Sequence, residues 1–319
     1  MADMTMGSTP ATDDPDPERR DRADPTLGRV AVIGSSNVDL VARCERLPGP
    51  GETVLGTEFL EAPGGKGLNQ AVAAARSGAH TTFVSMVGDD DAARIVLDVL
   101  ASDGISQETV GRCSSPTGRA LIGVDASGEN SIIVVPGANA ELRADHITEH
   151  GPAIAAARVL LAQLEVSTAV VQAAFEVARA TDVITVLNPA PAADLPRELL
   201  TLIDVCVPNE HEVELLGGVE ALRGAGVRAV VVTEGARGCR IVDDLGERRV
   251  ASLPVTPVDT TGAGDSFCGS LAARLAAGDA LDAAVRWAVV AGALATTSPG
   301  AVPAVPRAEA IRARLGDLA

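Results

Sequence analysis

The chain has 319 residues, 46% of them hydrophobic, and carries a net charge of −17. This length suits one large or two modest domains, and the apolar content is ample for a core. The acidic balance (pI near 4.6) repels nucleic acid and anionic membranes, and no apolar run is long enough to span a bilayer, so neither is expected as a partner.

Residues 1–27 are rich in Asp, Pro and Arg and lack the apolar stretch of a signal peptide. They read as a disordered acidic tail ahead of a domain over 28–319. The five cysteines are odd in number and widely spaced, with no C-x-x-C, which fits reduced thiols in a cytoplasmic protein. An apolar run over 29–34 reads as the first strand. Helical spacing and short apolar runs then alternate: helices are expected over 66–77, 91–101, 146–156, 168–180, 210–216, 265–276 and 280–296, and strands over 82–87, 159–164, 183–187, 205–207 and 229–233. Such alternation predicts the α/β class, a mainly parallel sheet with helices on both faces. The segment 280–296 is apolar on nearly every side and should be buried. Two stretches, 41–61 and 119–135, break the alternation. The second carries the turn signal Asp125-Ala126-Ser127-Gly128-Glu129 between two strand-like runs. Together they read as a small antiparallel β sheet projecting from the body, whose exposed edge could pair with a second copy.

Ligands of α/β sheets bind beyond the carboxyl ends of strands. Gly34-Ser35-Ser36-Asn37-Val38-Asp39 follows the first strand. In extended backbone Asn37 and Asp39 point the same way and suit vicinal hydroxyls; a polar turn is the other reading. The Gly-x-Gly-x-x-Gly of dinucleotide folds is absent there. Pro63-Gly64-Gly65-Lys66-Gly67-Leu68-Asn69-Gln70 opens a helix, and its glycines permit close approach of a ligand. It is not a Walker A loop, because Leu60 and Gly67 stand where that motif needs Gly and Ser or Thr. Glu165 closes a strand as an acceptor for hydroxyls or as a surface carboxylate. Prolines fix the loop after Asn188. Asn209 and Glu212 suit the cap and first turn of a helix. Thr233-Glu234-Gly235-Ala236-Arg237-Gly238 reads as a ligand loop or a plain hairpin.

Asp259-Thr260-Thr261-Gly262-Ala263-Gly264-Asp265-Ser266-Phe267 follows a strand-like run over 250–258, and Phe267, Leu271 and Leu275 then fall on one helical face. The unpaired N–H groups of a helix start, next to bare glycines, suit an anion such as phosphate. Asp265 beside them reads either as an acceptor for a hydroxyl proton or as a helix cap. Cys268 reads as a small buried hydrophobe.

Asp-Thr-x-Gly-Ala-Gly-Asp-x-Phe over 259–267 and Gly-Gly-Lys-Gly-x-Asn over 64–69 resemble the two signatures of the ribokinase-like (PfkB) family of sugar and nucleoside kinases. The other motifs occur in that family's order. The resemblance implies a three-layer α/β/α body with a β lid over the sugar, and use of ATP with Mg2+. It implies Asp265 as general base and the amides of Gly262, Ala263 and Gly264 as an anion hole. Sugar contacts would come from Asn37, Asp39, Gly65, Lys66, Gly67, Asn69 and Glu165, and nucleotide contacts from Asn188, Thr233, Gly235, Gly238 and Gly264. Asn209 and Glu212 would serve the magnesium region. A monovalent cation, usually K+, would sit among Asp259, Thr261, Ala295, Ser298, Gly300 and Ala304. The chain departs from the family at Ala304, often Ser in relatives, and at Val289, where many relatives place Asn or His near adenine. The expected activity is phosphorylation of the primary hydroxyl of D-ribose, with a nucleoside (adenosine) kinase or another sugar kinase such as a fructokinase as the alternative. A nucleoside needs stacking surface, and four Phe, one Trp and no Tyr make a thin platform. A sugar sensor without activity would have lost the base or the anion loop, and both are present.

Overall fold

The computed structural model describes residues 28–318, so the expected tail over 1–27 lies outside the described residues. Strand β1 (Arg29–Ile33) is followed by β2 (Asn37–Cys44), β3 (Gly56–Gly64), α1 (Lys66–Arg76), β4 (His80–Val87), α2 (Asp91–Ser102) and β5 (Val110–Arg112). Next come β6 (Gly118–Val124), β7 (Asn130–Val135), α3 (Ala144–Glu149), α4 (Gly151–Ala155), β8 (Val159–Ala162), α5 (Thr168–Ala180), β9 (Ile184–Leu187), α6 (Arg197–Leu200) and β10 (Val205–Cys206). The last part holds α7 (Glu210–Leu215), α8 (Val219–Ala225), β11 (Ala229–Thr233), β12 (Cys239–Asp243), β13 (Gly246–Val250), α9 (Ala263–Ala277), α10 (Leu281–Ala295) and α11 (Ala308–Arg314).

Nine strands form one sheet in the order β13-β12-β11-β10-β9-β8-β1-β4-β5, parallel except at β12 and β13. Its strands are apolar runs because helices cover both faces. Alternate side chains of β1 show the three layers. Val30 and Val32 pack with residues of α1, α9 and α10, whereas Ala31 and Ile33 pack with α5. The expected helix over 280–296 is α10, buried along most of its length. Among the described residues, no helix is long and apolar enough to cross a membrane.

The second sheet has the order β3-β2-β6-β7. Its outer pairs are antiparallel, as expected, but the central pair β2–β6 is parallel. The chain leaves this sheet through α1, β4, α2 and β5 before returning, and a parallel pair needs such a crossover. The lid also begins earlier than position 41. β2 starts at Asn37, and the register pairs Asn37 with Gly64 and Asp39 with Ala62, so the base of the lid is made of the candidate sugar residues.

Two elements differ from expectation. The helix over 146–156 is divided into α3 and α4 at His150, just before Pro152, which has no N–H to continue the first helix and instead sits in the first turn of the second. The strand-like run over 250–258 is irregular after Val250, where Pro254 and Pro257 cannot donate to a ladder.

Helices α1 and α9 cross at Gly269, where a methyl group would stand 2.3 Å from the Gln70 carbonyl oxygen and 2.6 Å from the Ala73 Cβ. Asp265 lies one turn before Gly269 on the same face of α9. The close crossing therefore brings the start of α1 against the start of α9.

Candidate active site

The site lies at the carboxyl ends of the central strands, where the chain's path diverges to either side of β1. Gly262 adopts φ +73, a left-handed conformation open to glycine, and turns the preceding loop into α9. Asp265 is the third residue of that helix, not its cap. It is buried, and its carboxylate is held from both sides: Asn69 Nδ2 donates to Oδ2 and Gln70 Nε2 to Oδ1, each at 2.9 Å. The two glycine-rich segments thus meet at one carboxylate.

Of the three amides assigned to an anion hole, that of Ala263 is already committed. Its N–H donates to the Thr260 carbonyl at 3.2 Å. Among the described residues, the N–H groups of Gly262 and Gly264 have no acceptor. A cavity of about 430 Å³ opens beside them, lined by Thr233, Gly235, Gly238, Phe267 and Val289 among others. Its lining is mostly apolar, with Leu253, Pro254, Val255 and Pro257 coming from the irregular run. The 233–238 loop joins β11 to antiparallel β12, so the hairpin and ligand-loop readings describe one feature. Asn188, expected on the nucleotide side, is not among the residues lining this cavity. Its carboxamide accepts from Gln70 Nε2 at 3.0 Å and donates to the Val207 carbonyl at 2.9 Å, which leaves one N–H and one acceptor lone pair for a ligand.

On the other side of Asp265 stand the candidate sugar residues. Asn37 is buried, with Oδ1 accepting from Asn139 Nδ2 at 2.8 Å. Asn139 also pairs with both backbone groups of Ser36, accepting from its N–H at 2.8 Å and donating to its carbonyl at 3.1 Å. It fixes this loop, a task that no sequence pattern around it announces. Gly65 (φ +91) and Gly67 pack directly on the end of β1. A methyl group on Gly67 would meet the Gly34 carbonyl carbon and Ser35 nitrogen at 2.5 Å, both backbone atoms. Glu165 Oε2 accepts from Ser35 Oγ at 2.5 Å and from the Lys66 N–H at 3.0 Å, which ties the ends of β1 and β8 to the start of α1. Asn69 Oδ1 is buried and has no hydrogen-bond partner among the described residues, so it is open to a ligand hydroxyl.

Lys66 is half-buried, not solvated. The Asp265 carboxylate, followed by those of Glu165 and Glu212, holds its ammonium above the usual range. Burial and the nearby Glu165 and Asp265 carboxylates push the Asp39 carboxyl up from 3.8 to about 7. The folded protein therefore binds more protons than the unfolded chain between about pH 4 and 7, so stability falls as pH rises through that window. We expect Asp39→Asn to stabilise the ligand-free protein at pH 8, with the gain fading as pH falls from about 7 to 4 and absent below that. Denaturant midpoints measured across this range check it, and a pH-independent difference would show that Asp39 charge is not the cause.

Asn209 and Glu212 form a capping box at α7, each side chain accepting the other's N–H, at 2.8 and 2.9 Å. Burial raises the Glu212 carboxyl, and Lys66 faces it. Among the described residues no three His, Cys, Asp or Glu side chains cluster to hold a metal. Asp259 Oδ1 accepts from the Thr261 N–H and Oδ2 from the Gly300 N–H, at 2.9 and 2.8 Å. Burial opposes its ionised form, yet these N–H bonds hold it below the usual carboxylate range. Its carboxylate is therefore a tie between two loops, and a cation there would have to be met by backbone carbonyls. Ala304 is buried and offers only its backbone. Burial and the Asp265 charge push the Cys268 thiol well up, consistent with an inert side chain.

This fold has counterparts among known proteins. The model of the pfkB family carbohydrate kinases matches residues 28–308, and the chain belongs to that family, which transfers phosphoryl groups to alcohols. It is similar to a ribokinase of Staphylococcus aureus, 37% identical over 89% of this chain and 98% of the relative. It also resembles the bifunctional ribokinase/ribose-5-phosphate isomerase A of Fructilactobacillus sanfranciscensis, 39% identical over 89% of this chain, and spans 56% of that longer protein. The structure of Arabidopsis thaliana ribokinase complexed with ribose and ATP superimposes with a TM-score of 0.83, at 29% identity over 91% of this chain and 99% of that one.

Proposed function

We propose that the protein phosphorylates the primary hydroxyl of D-ribose with ATP, giving ribose 5-phosphate. The observation that carries this is the Asp265 carboxylate, held between Asn69 and Gln70 with bare helix-start amides beside it. The ribokinase names of the relatives support ribose as the acceptor. Asp265 takes the hydroxyl proton as the oxygen attacks the γ-phosphorus in line. Charge developing on the transferred group meets the N–H groups of Gly262 and Gly264 and the Lys66 ammonium. Asn37, Asp39, Asn69 and Glu165, with the bare backbone of Gly65 and Gly67, hold the sugar. The lid formed by β2, β3, β6 and β7 excludes water, which would otherwise compete as acceptor.

ATP occupies the apolar cavity, with Thr233, Gly235 and Gly238 along its wall. Mg2+ supplies charge neutralisation at the phosphates. A hard cation held mainly by phosphate oxygens and water needs few protein ligands, and the outward side of the Asn209–Glu212 box suits that role. The two loops tied by Asp259 suit K+, met by carbonyls of Asp259, Thr261, Ala295, Ser298, Gly300 and Ala304. Strand β7 is exposed along its length, with Ile132, Ile133, Val134 and Val135 presenting apolar surface on both faces, which supports a homodimer through the lid. Five free thiols fit a reducing cytoplasm.

A coupled assay of ATP consumption with ribose, deoxyribose, fructose and adenosine, with and without K+, tests the reading. We expect ribose to give the highest kcat/KM and K+ to raise the rate. A higher kcat/KM for adenosine would replace the sugar by a nucleoside.

A further inference from the structure

A chain of buried carboxamides leads away from Asp265. Gln163, fully buried at the end of β8, donates from Nε2 to Gln70 Oε1 at 2.7 Å. Gln70, fully buried on α1, donates from Nε2 to both Asp265 Oδ1 and Asn188 Oδ1, at 2.9 and 3.0 Å. Asn188 Nδ2 ends the chain on the Val207 carbonyl. Gly34 leaves room for it, since a methyl group there would stand 2.0 Å from Gln163 Oε1.

A carboxamide has a donor end and an acceptor end, and its direction is set by its partners. Gln70 must turn its NH2 toward Asp265, because its oxygen against that carboxylate would be repelled. The Gln163 NH2 selects this direction by donating to the opposite end of Gln70. We propose that Gln70 is a positioning residue that fixes the Asp265 carboxylate for proton abstraction, and that Gln163 sets the direction in which Gln70 presents its amide. With Oδ1 anchored by Gln70 and Oδ2 by Asn69, the plane of the carboxylate is held against rotation. This rests on Asp265 acting as the base in the proposed reaction.

The test uses four variants of the full chain with ribose and ATP. Gln70→Leu removes the donor, and kcat should fall about 100-fold while ribose KM stays within about threefold, the mark of lost positioning. Gln70→Glu has nearly the same shape but puts a carboxyl beside Asp265. Ionised, it repels the base. Protonated, it can donate its single O–H to Asp265. Its kcat should therefore recover at least tenfold between pH 8 and pH 6 relative to Gln70→Leu, whose profile stays parallel to wild type. The other charged groups facing Asp265 are Lys66, Glu165, Asp39 and Glu212, which are common to every variant. Gln163→Leu should cost about tenfold in kcat. Gln163→Glu should cost more, because it invites Gln70 to reverse and turn its oxygen to Asp265. If a leucine variant fails to fold, the paired glutamate variant still reports. A Gln70→Glu profile parallel to wild type, or Gln70→Leu with kcat within threefold of wild type, overturns the positioning role. Absence of ribose-dependent ATP consumption by the wild-type protein sinks the reading beneath it instead.

Discussion

Asp265→Asn is expected to lower kcat by about 10²–10⁴-fold while ribose affinity changes by less than about threefold. The reasoning begins with what the substitution preserves. Asn keeps the size of the side chain and one acceptor oxygen, so either Asn69 or Gln70 retains its bond. The other donor then faces an NH2 group and must turn aside. What disappears is the capacity to take a proton, because a carboxamide is not a base near neutral pH. In the proposed reaction Asn37 and Glu165 hold the sugar as well, and these keep their own supports in Asn139, Ser35 and the Lys66 N–H. Ribose binding by calorimetry, set beside steady-state turnover, separates the two effects. A near-normal kcat would remove Asp265 as the base.

The meeting of the two glycine-rich segments was legible because each segment carries its own local signal, glycines followed by helical spacing. The partners that hold Asp265 were less so. Gln70 sits beside Asn69 in the motif, but nothing in its spacing points to an aspartate 195 positions away. Gln163 and Asn139 are buried amides without periodicity, and their tasks exist only once the strand ends are adjacent. The one local clue to the crossing that joins them is Gly269. A glycine inside a helix costs about 1 kcal/mol relative to Ala and calls for a packing reason.

Asn188 illustrates the opposite problem. Its position after a strand invites a ligand role, yet its bonds to the Gln70 amide and the Val207 carbonyl are structural ones that the spacing does not announce, and they use half of its hydrogen-bonding capacity. The parallel centre of the lid was hidden for a related reason. Residue alternation reports which face is buried, not which strand lies alongside, and β2 and β6 are separated by one lid strand, two body strands and two helices.

Asp103→Ala is expected to destabilise the fold by about 3–5 kcal/mol, the range for breaking a buried ion pair from one side. Asp103 caps the end of α2, and its side chain is 1% exposed. Arg76, at the end of α1 and 13% exposed, donates to it through Nε and Nη2 in two parallel bonds of 2.8 Å. The third nitrogen, Nη1, donates to the Val302 and Val305 carbonyls at 2.7 and 3.1 Å. Removing the carboxylate leaves a guanidinium buried with two carbonyls and no counter-charge, and desolvation then works against it. A pair screened by solvent would give less than about 1 kcal/mol, so a shift in urea midpoint that small would mean the pair carries little. In the double variant Arg76→Met with Asp103→Leu, the charge is gone from both sides. It should regain part of the loss, but not all, because the two carbonyls lose their donor. The same residues bear on activity. Arg76 belongs to the helix whose other end presents Lys66, Asn69 and Gln70, and it grips the 301–305 turn that follows the Gly300 amide tied to Asp259. If that loop holds K+, Asp103→Ala raises the K+ concentration needed for half-activation along with lowering stability. An unchanged K+ response in a destabilised variant would show that the pair supports the fold alone.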